Sequence, residues 1–294
     1  MLELEIQPYD LSKERELLQF IESHPWKPKW SEGYIKEFVQ LLTSTPNLIF
    51  ELYSQRQRIA AAVLADRVQN RGNNALLEFL GLDDHYHVGQ IYTLGIQLAK
   101  NRLPKHRSGI EVTVDESLHE VVNLLLEEGF TPYYEFFEIT CHIDMAHRNH
   151  QFNDIYPLTE EDYAEFYEVM VESFEKNIEI WIPNYEDGKS LLEDCQTWIY
   201  KEGGKIVGFL IIADIKSKVG EIRAVGVLPH LRRKRIGKKL TSFALSYFAR
   251  MGISTCFSYA VNKKIMNMLQ DLGFTIINYY TVYCWKIDDS RKRQ

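Results

Sequence analysis

The chain has 294 residues, enough for two domains of about 150 residues each. With 45% hydrophobic and 26% charged residues its composition is that of a globular protein, which excludes a disordered polymer or a fibrous repeat. A formal net charge of −7 argues against a nucleic-acid surface, and the longest apolar run, Ile206 to Ala213, falls well short of the roughly 18 residues a membrane-spanning helix needs.

In chain order, Met1-Leu2-Glu3-Leu4-Glu5 alternates apolar and acidic residues and predicts a first strand; a secretory signal needs a basic stretch before an apolar core. Arg58 to Asp66 predicts a buried strand entered from a basic turn residue. Asp83-Asp84-His85-Tyr86-His87 reads as a polar loop, and no second ligand cluster accompanies His85 and His87, so no metal site is expected. The four cysteines, Cys141, Cys195, Cys256 and Cys284, lie far apart and form no Cys-x-x-Cys. Cys141, Cys256 and Cys284 sit beside aromatic or β-branched residues in strand-like segments, where reduced cysteine packs as a small hydrophobe. A reducing cytoplasm is the expected location.

The chain also repeats itself. The strand beginning Arg58-Ile59-Ala60 resembles Lys205 to Asp214 at an offset of 147 residues, and Leu125 to Thr131 resembles Leu269 to Thr275 at an offset of 144. Each of the later segments precedes a tyrosine pair, Tyr133-Tyr134 and Tyr279-Tyr280. Two near-equal offsets in the same order indicate a tandem duplication. Residues 144–153 are polar and without apolar period, so the expected organisation is a first domain at 1–143, a linker at 144–153 and a second domain at 154–294.

Within the second copy, Asp154 to Pro157 predicts a short strand and Thr159-Glu160-Glu161-Asp162 a helix N-terminus. Tyr163, Phe166, Tyr167, Met170 and Phe174 recur at helical spacing and supply a buried face. Strands follow at Thr197 to Tyr200 and Ile206 to Asp214, joined by the Glu202-Gly203-Gly204-Lys205 turn, and then at Glu221 to Val227. A helix from about Gly237 to Arg250, a strand at Cys256 to Val261, a helix at Lys263 to Leu272 and a strand at Tyr279 to Ile287 complete a mixed α/β pattern.

The segment from Val225 to Leu240 carries the chemistry: a strand runs through Pro229 into Arg232-Arg233-Lys234-Arg235 and then opens a helix at Ile236-Gly237. Unsatisfied amides at a helix start favour an anion, and the cations strengthen that preference. Here the sequence resembles the GNAT superfamily of acetyl-CoA-dependent N-acetyltransferases, whose motif is Arg/Gln-x-x-Gly-x-Gly/Ala. Arg232-x-x-Arg235-x-Gly237 matches it, with Arg235 where glycine is usual. Val227-Leu228-Pro229 before the loop, and Asn262-Lys263-Lys264-Ile265 with Leu272-Gly273-Phe274 after it, extend the likeness over the second half. The resemblance implies two tandem GNAT-like domains with a mixed sheet.

It further implies that Arg233, Lys234, Arg235, Ile236, Gly237 and Lys238 hold the pyrophosphate of coenzyme A through their backbone amides, with Arg232 beside them. Val225 and Val227 would pair with pantetheine, and Asn262 would contact the cofactor arm. Glu221 matches the family's usual general base; in a regular strand its even spacing from Val225 and Val227 places all three side chains on one face. The position where the family often carries an acidic tyrosine is Leu269. Tyr259, Tyr279, Tyr280 and Tyr283 are near in sequence, but strand aromatics are usually packing groups.

In the first copy the corresponding loop, between Leu82 and Gly89, spans seven positions against ten in the second, and it carries Asp83, Asp84, His85 and His87 where the second has cations. Pyrophosphate would meet carboxylates there, so this copy is expected to be degenerate. The resemblance places the acceptor on the first two helices of the second copy, including Glu175, Glu179, Trp181, Asn184, Tyr185, Glu186 and Asp187, side chains suited to a cationic amine. The expected activity is acetyl transfer from acetyl-CoA to a primary amine of a small molecule or peptide by direct attack, with no nucleic acid, membrane or metal involved. The alternatives are a non-catalytic acyl-CoA sensor, which Arg235 and Leu269 favour, and an aminoacyl-tRNA-dependent transferase, which has no need of the coenzyme A loop.

Overall fold

A computed structural model describes residues 4–8, 11–24, 49–65, 74–83, 85–144, 152–174, 182, 185–186, 188–189, 195–215 and 219–287. By packing, the chain divides into two units, one of residues 1–68, 72–134 and 281–294, the other of residues 69–71 and 135–280. Among the described residues no helix is long and apolar enough to cross a membrane.

In the first unit, β1 (Leu4–Pro8), β2 (Ile49–Ser54), β3 (Gln57–Ala65) and β4 (Asn74–Leu82) pair antiparallel in succession. The fifth strand, β5 (Gly109–Asp115), joins β4 in parallel, which requires the crossover helix α2 (Val88–Arg102). Helices α1 (Glu14–Ser23) and α3 (His119–Glu127) complete the unit. Ala60, Ala62, Leu64, Leu77, Val112 and Tyr92 are buried together in its core. That core also contains Tyr283, from the far end of the chain, and Ile287 N–H donates to Ser108 O at 2.7 Å.

The second unit is built from β6 (Thr131–His142, its latter part), β7 (Ile155–Pro157), α4 (Tyr163–Phe174), β8 (Gln196–Glu202), β9 (Lys205–Ile215), β10 (Val219–Val227), α5 (Ile236–Arg250), β11 (Thr255–Ala260), α6 (Lys263–Gln270) and β12 (Thr275–Lys286, its first part). Its strands run in the order β6, β11, β10, β9, β8, β7, all antiparallel except the β10–β11 pair. The β8–β9 turn is made by Gly203 and Gly204 at φ 61° and 82°, the left-handed conformations a tight hairpin requires. The apolar spacing of α4 is realised, with Tyr163, Phe166, Met170 and Phe174 buried, and Thr159 Oγ1 accepts the Asp162 N–H at 3.4 Å just before the helix.

The continuous apolar run of β9 reflects burial on both sides. Phe209 is fully buried and packs edge-on against Phe166 and Phe174 of α4, a burial worth about 1.5–3 kcal/mol. On the opposite face, a side chain at Gly208 would meet Ile236 and Leu240 of α5. Cys141, Cys256 and Cys284 are buried, and burial pushes each thiol above its ordinary value, Cys284 to about 11. These thiols pack as small hydrophobes.

The packing units and the sequence copies are not the same segments. Residues 135–142, in the first copy by sequence, pair with β11 from Phe137↔Ala260 to His142↔Thr255, and Ile139 and Cys141 lie in the second unit's core. Residues 281–286, in the second copy by sequence, pack in the first unit.

Candidate active site

The site forms where β10 parts from β11. The two strands pair in parallel from Val219↔Thr255 to Ile222↔Ser258, and Ser258 Oγ donates to Ile222 O at 2.8 Å on the last rung. Beyond it no further pairing joins them among the described residues, although β10 continues to Val227 and β11 to Ala260. The cause lies in β10 itself, which has an extra residue, Arg223, between Ile222↔Ile212 and Ala224↔Ile211 of the β9 pairing. Such a bulge bends a strand and raises its twist. The β11-facing edge of residues 223–227 is thereby opened as a place where an extended ligand can add like a strand.

The bulge also overturns the expected common face of Glu221, Val225 and Val227. Glu221 pairs with Ala213, whereas Val225 and Val227 pair with Leu210 and Gly208. Residues 213 and 208 lie an odd number of positions apart in β9, so Glu221 is on the α4 face and the two valines are on the α5 face. Even spacing failed because one residue at 223 shifts the alternation. Glu221 stands at the closed end of the opening, where Arg223 Nε donates to its Oε2 at 3.2 Å, and Arg223 Nη1 lies 3.2 Å from Cys195 Sγ. Arg223 is thus a direct neighbour of the candidate base.

The open edge leads through the turn Pro229–Leu231 into the basic loop. Arg233 and Arg235 have φ of 72° and 63°, so Arg235 adopts the left-handed conformation that explains why glycine is usual at its position. Left-handed residues alternating along a loop turn successive amides towards one point, a cradle for an anion. Arg235 is the N-cap of α5 and makes no side-chain cap; the first intrahelical bond runs from Lys239 N–H to Arg235 O. The amides of Ile236, Gly237 and Lys238 therefore have no acceptor within the helix.

Gly237 lacks a positive φ, and an added Cβ would stand 3.8 Å from Met268 Sδ and 3.9 Å from Val227 Cγ2, ordinary contacts. Neither conformation nor packing demands glycine here. Beside it, Phe152, Arg235, Lys238, Lys239 and Ser242 line a depression of about 240 Å³. Lys234 and Lys238 face Glu202 and Asp271 at 3.6 and 3.2 Å. Arg232 has a different place from the rest: its Nη2 donates to Ser173 O at 2.7 Å and its Nε to Val227 O at 3.3 Å, tying the loop to the last turn of α4 and the end of β10. Asn262 caps α6, its Oδ1 accepting the Ile265 N–H at 3.0 Å. Leu269 is buried in the core.

Of the acceptor residues expected from sequence, Tyr185 and Glu186 are exposed, and the Tyr185 carbonyl accepts from Tyr163 Oη at 2.8 Å. Glu175, Glu179, Trp181, Asn184 and Asp187 lie outside the described residues. Among the described residues no group of three or more His, Cys, Asp or Glu side chains could hold a metal ion.

The equivalent place in the first unit is filled by the protein itself. There β4 and β5 pair only from Asn74↔Gly109 to Leu77↔Val112, yet Leu82 N–H, at the position of Val227, donates to His24 O at 3.0 Å. At Gly89, the position of Gly237, an added Cβ would lie against the Glu120 carboxylate, which occupies the space at the start of α2. Asp83 accepts from the His85 backbone at 3.0 Å and lies 2.7 Å from its Nδ1. Burial raises the Asp83 carboxyl, but these His85 hydrogen bonds outweigh it and hold the group below its ordinary value.

Residues 152–274 match the profile of the acetyltransferase (GNAT) family. That segment of the chain belongs to the GNAT family. A mycothiol acetyltransferase from Renibacterium salmoninarum is 25% identical over 120 residues, a stretch covering 34% of this chain and 36% of that protein. Among solved structures, a tandem GNAT protein from the clavulanic acid biosynthesis pathway superposes with a TM-score of 0.70 at 13% identity, covering 97% of this chain and 98% of that one. A GCN5-related N-acetyltransferase from Sphaerobacter thermophilus gives 0.69 at 13% identity, over 96% and 95% of the two chains. The fold is a tandem GNAT fold, and the chain spans about a third of the length of the curated acetyltransferase it matches.

Proposed function

We propose that the chain transfers an acetyl group from acetyl-CoA to a primary amine, by direct attack in the second unit. The observation that carries this reading is the opening beyond Ile222↔Ser258, running into a helix start whose Gly237 has no structural reason to be glycine. The residues fit the cofactor: an unpaired strand edge for pantetheine, and the amides of residues 233–238 with compensating cations for pyrophosphate. Acetyl-CoA, when bound, supplies an activated thioester carbonyl.

The chain's own groups then have defined tasks. A backbone N–H on the free edge of β10, at Val225 or Val227, donates to the acyl oxygen, a contact that strengthens as negative charge develops there. Glu221, at the closed end of the same opening, accepts the proton an ammonium must lose before its nitrogen can attack. Arg223 fixes the position of that carboxylate. With Leu269 buried at the position of the usual acid, the departing sulfur takes its proton from water. The first unit serves as scaffold, since His24 and Glu120 occupy the places of cofactor edge and anion.

Titration calorimetry of the full chain with acetyl-CoA should give one equivalent, and a screen of polyamines, amino acids, aminoglycosides and peptides should give acceptor-dependent release of free thiol. Two equivalents would overturn the assignment of roles to the units. Binding with no turnover on any acceptor would favour the acyl-CoA sensor, a reading consistent with the engagement of Glu221 by Arg223.

A further inference from the structure

The outer face of α5 carries a second feature beside the candidate pyrophosphate cradle. Lys238, Lys239 and Ser242 follow the N-cap Arg235 at three, four and seven residues, the spacing of one helix face, while Ile236, Leu240 and Phe243 turn inwards to the core. Phe152, just before β7, packs edge-on against Phe243 at a ring separation of 5.5 Å. With the outer row of α5 it lines the depression of about 240 Å³.

The lining holds three cations and no carboxylate. Arg235 and Lys239 are exposed, and among the described residues neither the Arg235 side chain nor the Ser242 hydroxyl has a hydrogen-bond or ion-pair partner. Lys239 Nζ lies 3.2 Å from the Tyr200 hydroxyl, a neutral group that leaves its charge uncompensated; Lys238 alone faces a carboxylate, Asp271. Like charges four residues apart on a helix, as Arg235 and Lys239 are, repel one another and cost stability, and an anion between them reverses that cost. Between the charges the walls are apolar, made of the Phe152 ring and the methylene stems of the lysines.

The depression is smaller than the roughly 300–1,000 Å³ that encloses a whole drug-sized ligand, so it suits one part of a longer molecule. Arg235 belongs both to it and to the loop whose amides form the anion cradle. Along the helix axis Lys239 and Ser242 stand about 6 and 10 Å beyond Arg235, within reach of a ribose attached to a phosphate in that cradle. We propose that the depression is the subsite for the 3′-phosphoadenosine end of the coenzyme: the Arg235 guanidinium, the Lys239 ammonium and the Ser242 hydroxyl hold the 3′-phosphate, and the base lies against Phe152. The chain thereby selects a donor that carries the 3′-phosphate. This inference rests on the cofactor part of the reading above, and not on the transfer step.

The test is titration calorimetry of the full chain at low salt with acetyl-CoA and with its 3′-dephospho form. The expected result is an affinity about tenfold higher for the 3′-phosphorylated donor, a difference that narrows as salt is added and exposed charges are screened. Lys239→Ala should weaken acetyl-CoA by about threefold to fivefold and leave the dephospho form within about twofold of the parent. Phe152→Ala should weaken both donors alike, and Lys264→Ala, at the start of α6, should leave the ratio of the two affinities unchanged. Equal affinity of the parent for the two donors would overturn the proposal. So would equal weakening of both by Lys239→Ala, or loss of the difference in Lys264→Ala, and each of these outcomes leaves acetyl transfer standing. Binding of acetyl-CoA with no turnover on any amine would remove acetyl transfer, while the affinity ratio still decides this subsite. Absence of acetyl-CoA binding would remove both.

Discussion

Substitution of Gly237 separates what the fold needs from what the ligand needs. A methyl group added there would meet Met268 and Val227 at 3.8 and 3.9 Å, so Gly237→Ala introduces no clash. Alanine is favoured over glycine by about 1 kcal/mol in a helix interior, and by less in the first turn. For a unit of this size that corresponds to a rise in Tm of roughly 1–3 °C. The motif takes glycine or alanine at this position, so acetyl-CoA affinity should stay within about twofold of the parent, whereas a bulky side chain would block the approach of a pyrophosphate to the amides of α5. Thermal unfolding and titration calorimetry therefore separate the two requirements: Gly237→Ala becomes slightly more stable and binds as the parent does. Gly237→Trp should abolish binding with the circular dichroism spectrum unchanged. An affinity within twofold of the parent in Gly237→Trp, with an unchanged circular dichroism spectrum, would refute the pyrophosphate assignment.

Glu221→Gln should lower the turnover rate by about 10² to 10⁴ with acetyl-CoA affinity nearly unchanged, and a rate within a few-fold of the parent at neutral pH would show that another group removes the proton. A fragment of residues 154–294 lacks the strand that pairs with β11, so it should aggregate or unfold without cooperativity, whereas a fragment starting at Glu135 should recover a cooperative transition in circular dichroism. Asp162 is held below its ordinary value of 3.8 chiefly by the hydrogen bond from Lys201 at 2.9 Å, opposed by burial and aided by Thr159. Its contribution is therefore complete above pH 3.8 and is lost as the pH falls through the lower folded value. Asp162→Asn should cost about 0.5–1 kcal/mol at neutral pH and low salt, and little at about pH 2, in urea unfolding.

Much of the second unit could be read from local patterns. The α4 spacing, the glycine pair of the β8–β9 turn and the run of β9 each express a single period, and the basic loop before α5 expresses the chemistry of a helix start. What escaped the sequence has no local signature. A bulge at Arg223 is one residue in a strand of unbroken apparent alternation, and it moved Glu221 to the other face from Val225 and Val227. Arg232 looks like its neighbours in sequence, yet it straps the loop to α4 through Ser173. Gly89 matches Gly237 in sequence, but Glu120, some thirty residues further on, decides what stands beside it.

The interchange of strand segments between units also governs the order in which the protein can be made. The core of the first unit includes Tyr283, and Ser108 receives its bond from Ile287, so more than half of the chain must follow β5 before that unit has all its pieces. Contacts of such sequence separation carry a high loop-closure cost and form late. During synthesis the first unit therefore waits with the edge of β5 unpaired, a surface able to recruit another strand, while the second unit closes as soon as β12 begins. The unit that carries the candidate site thus reaches its native form before the unit that precedes it in sequence.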